Sequence, residues 1–134
     1  HLAMYEERPR DTAIVHLHAT HSVAVSCLDG IDESNVLPPM TAYYVMRIGT
    51  LPLVPYFRPG DRALADAVRG VARDHHAMLL ANHGPVVSAP SLDAAVYSAE
   101  ELEETAKLYL MIHDRPHRYL TSKQVAELNE AFPN

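Results

Sequence analysis

The chain has 134 residues, 48% of them apolar, and a net charge of −6 with its nine histidines neutral. That length fits one domain with a useful core, and the 11 Lys and Arg residues are scattered, so no positive stripe awaits a nucleic acid. The single cysteine, Cys27, excludes an internal disulfide, and no apolar run reaches the roughly 20 residues that cross a bilayer, so a soluble, cytoplasmic protein is expected.

His1 to Glu7 reads as the last turns of a helix stopped by Pro9, with no capping residue before it, which points to upstream sequence. Thr12 to Leu17 is β-branched and apolar and reads as a strand, with Ile14, His16 and His18 sharing one face. Thr20 is placed to cap a short helix through Ser26, with Val23 and Cys27 on one side. From Asp29 to Gly60 five prolines interrupt the chain; Tyr43 to Ile48 fits a helical turn or a strand, and Leu51 to Phe57 an edge or irregular strand.

Asp61 caps a helix to about Asp74 whose Leu64, Val68 and Val71 share a face. Ala77 to Ala81 is a buried strand by its continuous apolar run, Asn82-His83-Gly84-Pro85 is a turn, and Val86 to Ala89 can pair back. Ser91 caps the longest helix, to about His113, with Leu92, Val96, Ala99, Leu102, Ala106 and Leu110 as its inner stripe and Glu103 paired to Lys107 outside. Thr121 and Gln124 form a capping box for a last helix with Val125, Leu128 and Phe132 on its apolar face.

Residues two apart on a strand hold their side chains together, so His16 and His18 can share one metal ion, with His83 at a second strand end as the third ligand. Three protein ligands leave a coordination position open for chemistry. The alternative is a pair of hydrogen-bonded core histidines, and spacing alone does not choose. His21 is given a structural or supporting role; His1, His75, His76, His113 and His117 are read as solvated. Tyr43 and Tyr44 can offer a phenol, though packing is the simpler role, Cys27 reads as a small core residue, and Glu100, Glu101, Glu103 and Glu104 as a solvated face.

The run Tyr5-Glu6-Glu7-Arg8-Pro9-Arg10-Asp11-Thr12-Ala13-Ile14-Val15-His16-Leu17-His18, with His83-Gly84 after an apolar strand, resembles the class II aldolase/adducin family. The stretches Leu37 to Gly49, Tyr56 to Asp61 and Ala99 to Ala106 are most similar to the branch that decarboxylates 3-oxo-tetronate 4-phosphates. The resemblance implies a three-layer α/β/α fold around a mostly antiparallel or mixed central sheet. It further implies a homotetramer and a zinc ion, or another divalent cation such as manganese or cobalt, on His16, His18 and His83.

The implied activity is that of a metal-dependent lyase, in which the cation stabilises the enediolate left when carbon dioxide departs, giving dihydroxyacetone phosphate. Alternatives within the resemblance are a fuculose-phosphate aldolase-like enzyme and a non-catalytic adducin-like interaction module. The family's acid/base glutamate falls about one helical turn before His1, and its phosphate-binding loops further upstream. Residues 1–134 therefore read as a single domain lacking its N-terminal part, with no catalytic acid/base of its own.

Overall fold

A computed structural model of the chain describes residues 1–133. Four strands form a sheet in the order β1-β4-β3-β2: β1 (Ala13–His16), β2 (Leu53–Val54), β3 (Ala77–Leu80) and β4 (Gly84–Ala89). β4 pairs antiparallel with both β1 and β3, and β2 runs parallel to β3. The sheet is therefore mixed, and the short β2 is its edge, where Pro52 and Pro55 interrupt no central ladder.

Strand alternation sends neighbouring side chains into two separate cores. Ala77, Leu79 and Val87 pack with Val25, Tyr44 and Leu102, from the helices α2 (Thr20–Ser26), α3 (Ala42–Arg47) and α5 (Leu92–Ile112). Met78, Leu80 and Val86 face the other way, onto Ala3 and Met4 of α1 (Leu2–Glu7) and Val68 and Ala72 of α4 (Arg62–Ala72). Helices thus cover both faces of the sheet, the α/β arrangement expected from the sequence. Arg69 ties α4 to Glu6 and Glu7 of α1. A terminal helix, α6 (Ser122–Ala131), lies against α3 and starts with the expected Thr121–Gln124 capping box.

The caps at Asp61 and Ser91 form as expected, each side chain accepting a backbone N–H of its helix. Several expectations require correction. The N-cap of α2 is Ala19, not Thr20, and no side chain of the helix itself caps it. Cys27 follows α2 on its exposed side, and the buried residues of the helix are Ser22, Val25 and Ser26, so the period runs through Val25 rather than Val23 and Cys27. On α5 the buried stripe starts at Ala95 and runs through Ala99, Leu102 and Ala106, leaving Leu92 in the first turn exposed. Phe132 is the C-cap of α6 and is half-exposed, not part of a buried face.

Among the described residues, no helix is long and apolar enough to cross a membrane.

Candidate metal centre

The turn Ala81 to His83 brings the chain from the end of β3 into the start of β4, beside the end of β1. His16, the last residue of β1, is paired with Val86; His83 stands just before β4 on the same sheet end. His18 is not on the strand. The β1–β4 register would set Leu17 opposite Pro85 and His18 opposite Gly84, but the ladder stops at His16–Val86: Pro85 has no N–H to give, its carbonyl is taken by the His16 ring, and the chain departs through Leu17, His18 and Ala19 toward α2.

Gly84 makes this departure possible. A Cβ at Gly84 would lie 2.5 Å from the Leu17 carbonyl oxygen, a separation that no real side chain tolerates. The link carrying His18 therefore rests directly on the backbone that follows His83.

The structure brings the three rings together. His83 Nε2 is 3.2 Å from His16 Nε2 and 3.1 Å from His18 Nε2, and one ligand nitrogen from each histidine lies within 4.8 Å of the others. Four tetrahedral ligands at about 2.0–2.1 Å from zinc stand about 3.3 Å apart, so these separations suit nitrogens gathered around one ion. One N–H on His83 can satisfy only one of its two close neighbours. The donor set and its spacing thus fit a divalent cation.

The tautomer of His16 is fixed by the backbone. The Pro85 carbonyl can only accept, so the bond at 2.9 Å requires Nδ1–H to donate and leaves the Nε2 lone pair free on the side of His83. Burial lowers the His16 pKa; the Pro85 bond opposes this, and the rings of His83 and His18 add to it. Burial and the neighbouring His18 lower that of His83. Both effects favour neutral imidazoles, the form that ligates metal.

Two clefts meet at the cluster. One, of about 300 Å³, lies on the α1 and α4 side, with His16, His83, Met4, Leu64 and the loop at Gly60 and Asp61 in its wall. The other is broader and more open, with His18, His83, Thr20, Tyr56 and Asn82 along it. Asn82 takes a left-handed conformation (φ 55°), which asparagine tolerates better than most residues. The sequence marks Thr20 and Asp61 as helix caps and Asn82 as a turn residue but assigns none of them, nor Tyr56, to the site; the adjacency of Asn82 to His83 and of Thr20 to His18 is the available signal.

Other candidates lie elsewhere. Tyr44 is buried in the α3 core, where burial pushes its phenol up, and Tyr43 is exposed on α3. His1 is exposed, yet its ring centroid lies 5.6 Å from that of His16. His76 is not solvated as expected: it is partly buried, its Nδ1 donates to the Ser88 carbonyl at 3.3 Å, and burial lowers its pKa. Glu103 does not belong to a solvated face and does not pair with Lys107. Its carboxylate turns to α2, where His21 and Ser22 donate to it.

The model of the class II aldolase and adducin N-terminal domain matches residues 1–110. The chain is 57% identical over 128 residues to the 3-oxo-tetronate 4-phosphate decarboxylase of Escherichia coli strain K12, covering 96% of this chain and 60% of that protein. It is 33% identical over 136 residues to the L-fuculose phosphate aldolase of the same strain, covering 98% of this chain and 60% of that enzyme. Its fold superposes on Escherichia coli YgbL, a candidate aldolase, epimerase or decarboxylase, with a TM-score of 0.93 at 57% identity, covering 96% of this chain and 62% of that one. The chain thus spans about 60% of the length of the relatives it matches. It belongs to the class II aldolase/adducin family.

Proposed function

We propose that this protein is a metal-dependent carbon–carbon lyase that decarboxylates a 3-oxo-tetronate 4-phosphate to dihydroxyacetone phosphate. The observation that carries the reading is the convergence of His16, His18 and His83 where two clefts meet. Its substrate class follows the named relatives, four more of which, at 56% to 42% identity, are also called 3-oxo-tetronate 4-phosphate decarboxylase. Residues 1–134 act in this reading as one class II aldolase/adducin-like domain of a cytoplasmic homotetramer.

His16, His18 and His83 hold the cation, zinc in the first instance. When bound, it supplies Lewis-acid stabilisation of the negative charge that develops on the substrate's oxygens. His16 is kept in its ligating tautomer by Pro85, and His83 sits between the other two rings. Cleavage breaks the bond between the carboxyl carbon and C2, its electron pair passes into the enediolate, and protonation at C2 gives dihydroxyacetone phosphate.

No residue within 1–134 is assigned the protonation at C2.

The 33% identity to L-fuculose phosphate aldolase supports a second reading, aldol cleavage of a sugar phosphate through the same kind of charge. An adducin-like module without catalysis has no need of three convergent ligating nitrogens. The test is an assay of the zinc-loaded full-length protein on both substrate classes. Release of carbon dioxide with equimolar dihydroxyacetone phosphate supports decarboxylation. Cleavage of L-fuculose 1-phosphate without decarboxylation selects the aldolase, and turnover of neither overturns both.

A further inference from the structure

Glu103 lies on α5, 82 residues after His21, and its carboxylate is fully engaged. Oε2 accepts from the His21 backbone N–H at 3.1 Å and from His21 Nδ1 at 2.8 Å. Oε1 accepts from the Ser22 backbone N–H at 2.8 Å and from Ser22 Oγ at 2.7 Å. Four donors meet two oxygens.

These donors are the first turn of α2, the helix that lacks a side-chain cap of its own. Glu103 supplies the missing cap from another element, and its negative charge suits the positive end of the helix. The first turn of α2 begins two residues after His18. On its other side the link Leu17 to Ala19 is held by the end of β1 and by its contact with Gly84. His18 is thus the one ligand of the three on a segment outside both strand and turn, and Glu103 anchors the far end of that segment to the sheet-packed α5.

We propose that Glu103 is a positioning residue for the metal centre, fixing the His18 imidazole against His83 by clamping the start of α2. The inference rests on the metal reading above. It predicts that loosening the clamp lets His18 move away while His16 and His83, held by strand and turn, stay in place.

The test is titration of the metal-free protein with cobalt(II), read by affinity and by the visible absorption bands that report coordination geometry. Glu103→Gln keeps the shape but presents an amide N–H₂ to groups that are themselves donors. Cobalt affinity is expected to fall about 10–100-fold, as for loss of supporting partners in other metal sites, with a changed band pattern. Thr121→Ala, which removes the cap of the remote α6, controls for loss of stability alone and is expected to leave both readouts unchanged. If Glu103→Gln proves too unstable, Ser22→Ala removes one of the four donors and is expected to weaken binding about threefold, a fraction of the same effect.

A Glu103→Gln protein that is less stable yet binds cobalt with wild-type affinity and spectrum overturns the inference and leaves the metal reading standing. If Ser22→Ala takes its place, unchanged affinity and spectrum do the same. A wild-type protein that binds no cobalt overturns the metal reading and the inference with it.

Discussion

His83 Nε2 stands 3.2 Å from His16 Nε2, although the two residues are 67 positions apart in sequence. Only the antiparallel pairing of β1 with β4, in the register His16 to Val86, brings them to one end of the sheet. His83 also approaches His18 at 3.1 Å, so it is the shared neighbour of the cluster.

That position makes His83→Ala the most informative ligand deletion. Zinc affinity is expected to drop by at least about 100-fold, since two remaining imidazoles make an incomplete site. The metal-free variant should unfold within about 0.5 kcal/mol of the wild type, as for other substitutions away from core and caps. Chelator competition and denaturant melts of the metal-free proteins check both parts.

Gly84→Ala tests the close approach beneath His18. The added methyl would meet the Leu17 carbonyl at 2.5 Å, against backbone rather than a yielding side chain. Destabilisation of about 1–3 kcal/mol is expected, the range for overpacking, together with weaker zinc binding because His83 and His18 flank the contact. Equal stability and affinity would show that the link relaxes freely.

The opposite end of the sheet has its own buried charge. Asp11 accepts from Arg8 Nε at 2.7 Å and from Ser88 Oγ at 2.6 Å, and Arg8 also donates to the Ala72 carbonyl. Asp11→Ala leaves the Ser88 hydroxyl and a partly buried guanidinium without their acceptor. A loss of about 3 kcal/mol is expected in chemical denaturation, with zinc affinity unchanged.

Glu103 gives stability a pH dependence. Burial raises its pKa, but hydrogen bonds from Ser22 and His21 together outweigh it and hold the carboxyl below its ordinary value. A depressed carboxylate contributes stability that is complete above the unfolded value and is lost as pH falls through the folded one. The stability gap between wild type and Glu103→Gln is therefore expected to be about 2 kcal/mol near neutrality. It should narrow as pH falls below about 4. A gap that does not change with pH contradicts the charged clamp.

Much of this architecture is legible in the chain. Period and capping residues mark α4, α5 and α6, and the continuous apolar run from Ala77 marks β3, because local signals there agree with the burial that follows. The three histidines stand out by type and spacing. Their geometry was less accessible: His18 leaves the strand because the β1–β4 ladder stops at His16–Val86, where Pro85 offers no N–H, a long-range fact with no trace in the residues around His18.

Glu103 was misassigned for a related reason. Its neighbours Glu100 and Glu104 are exposed, as an acidic helical face suggests, and only the packing of α2 on α5 turns one carboxylate inward. His76 follows the same pattern, reaching the Ser88 carbonyl across the β3–β4 pairing.

The most direct test of the central claim is the metal content of protein purified without chelators, measured by elemental analysis beside His83→Ala. The account predicts about one zinc or similar divalent ion per wild-type chain and a small fraction of that in the variant. Wild-type protein that carries no stoichiometric ion, and takes none up from added zinc, would contradict it.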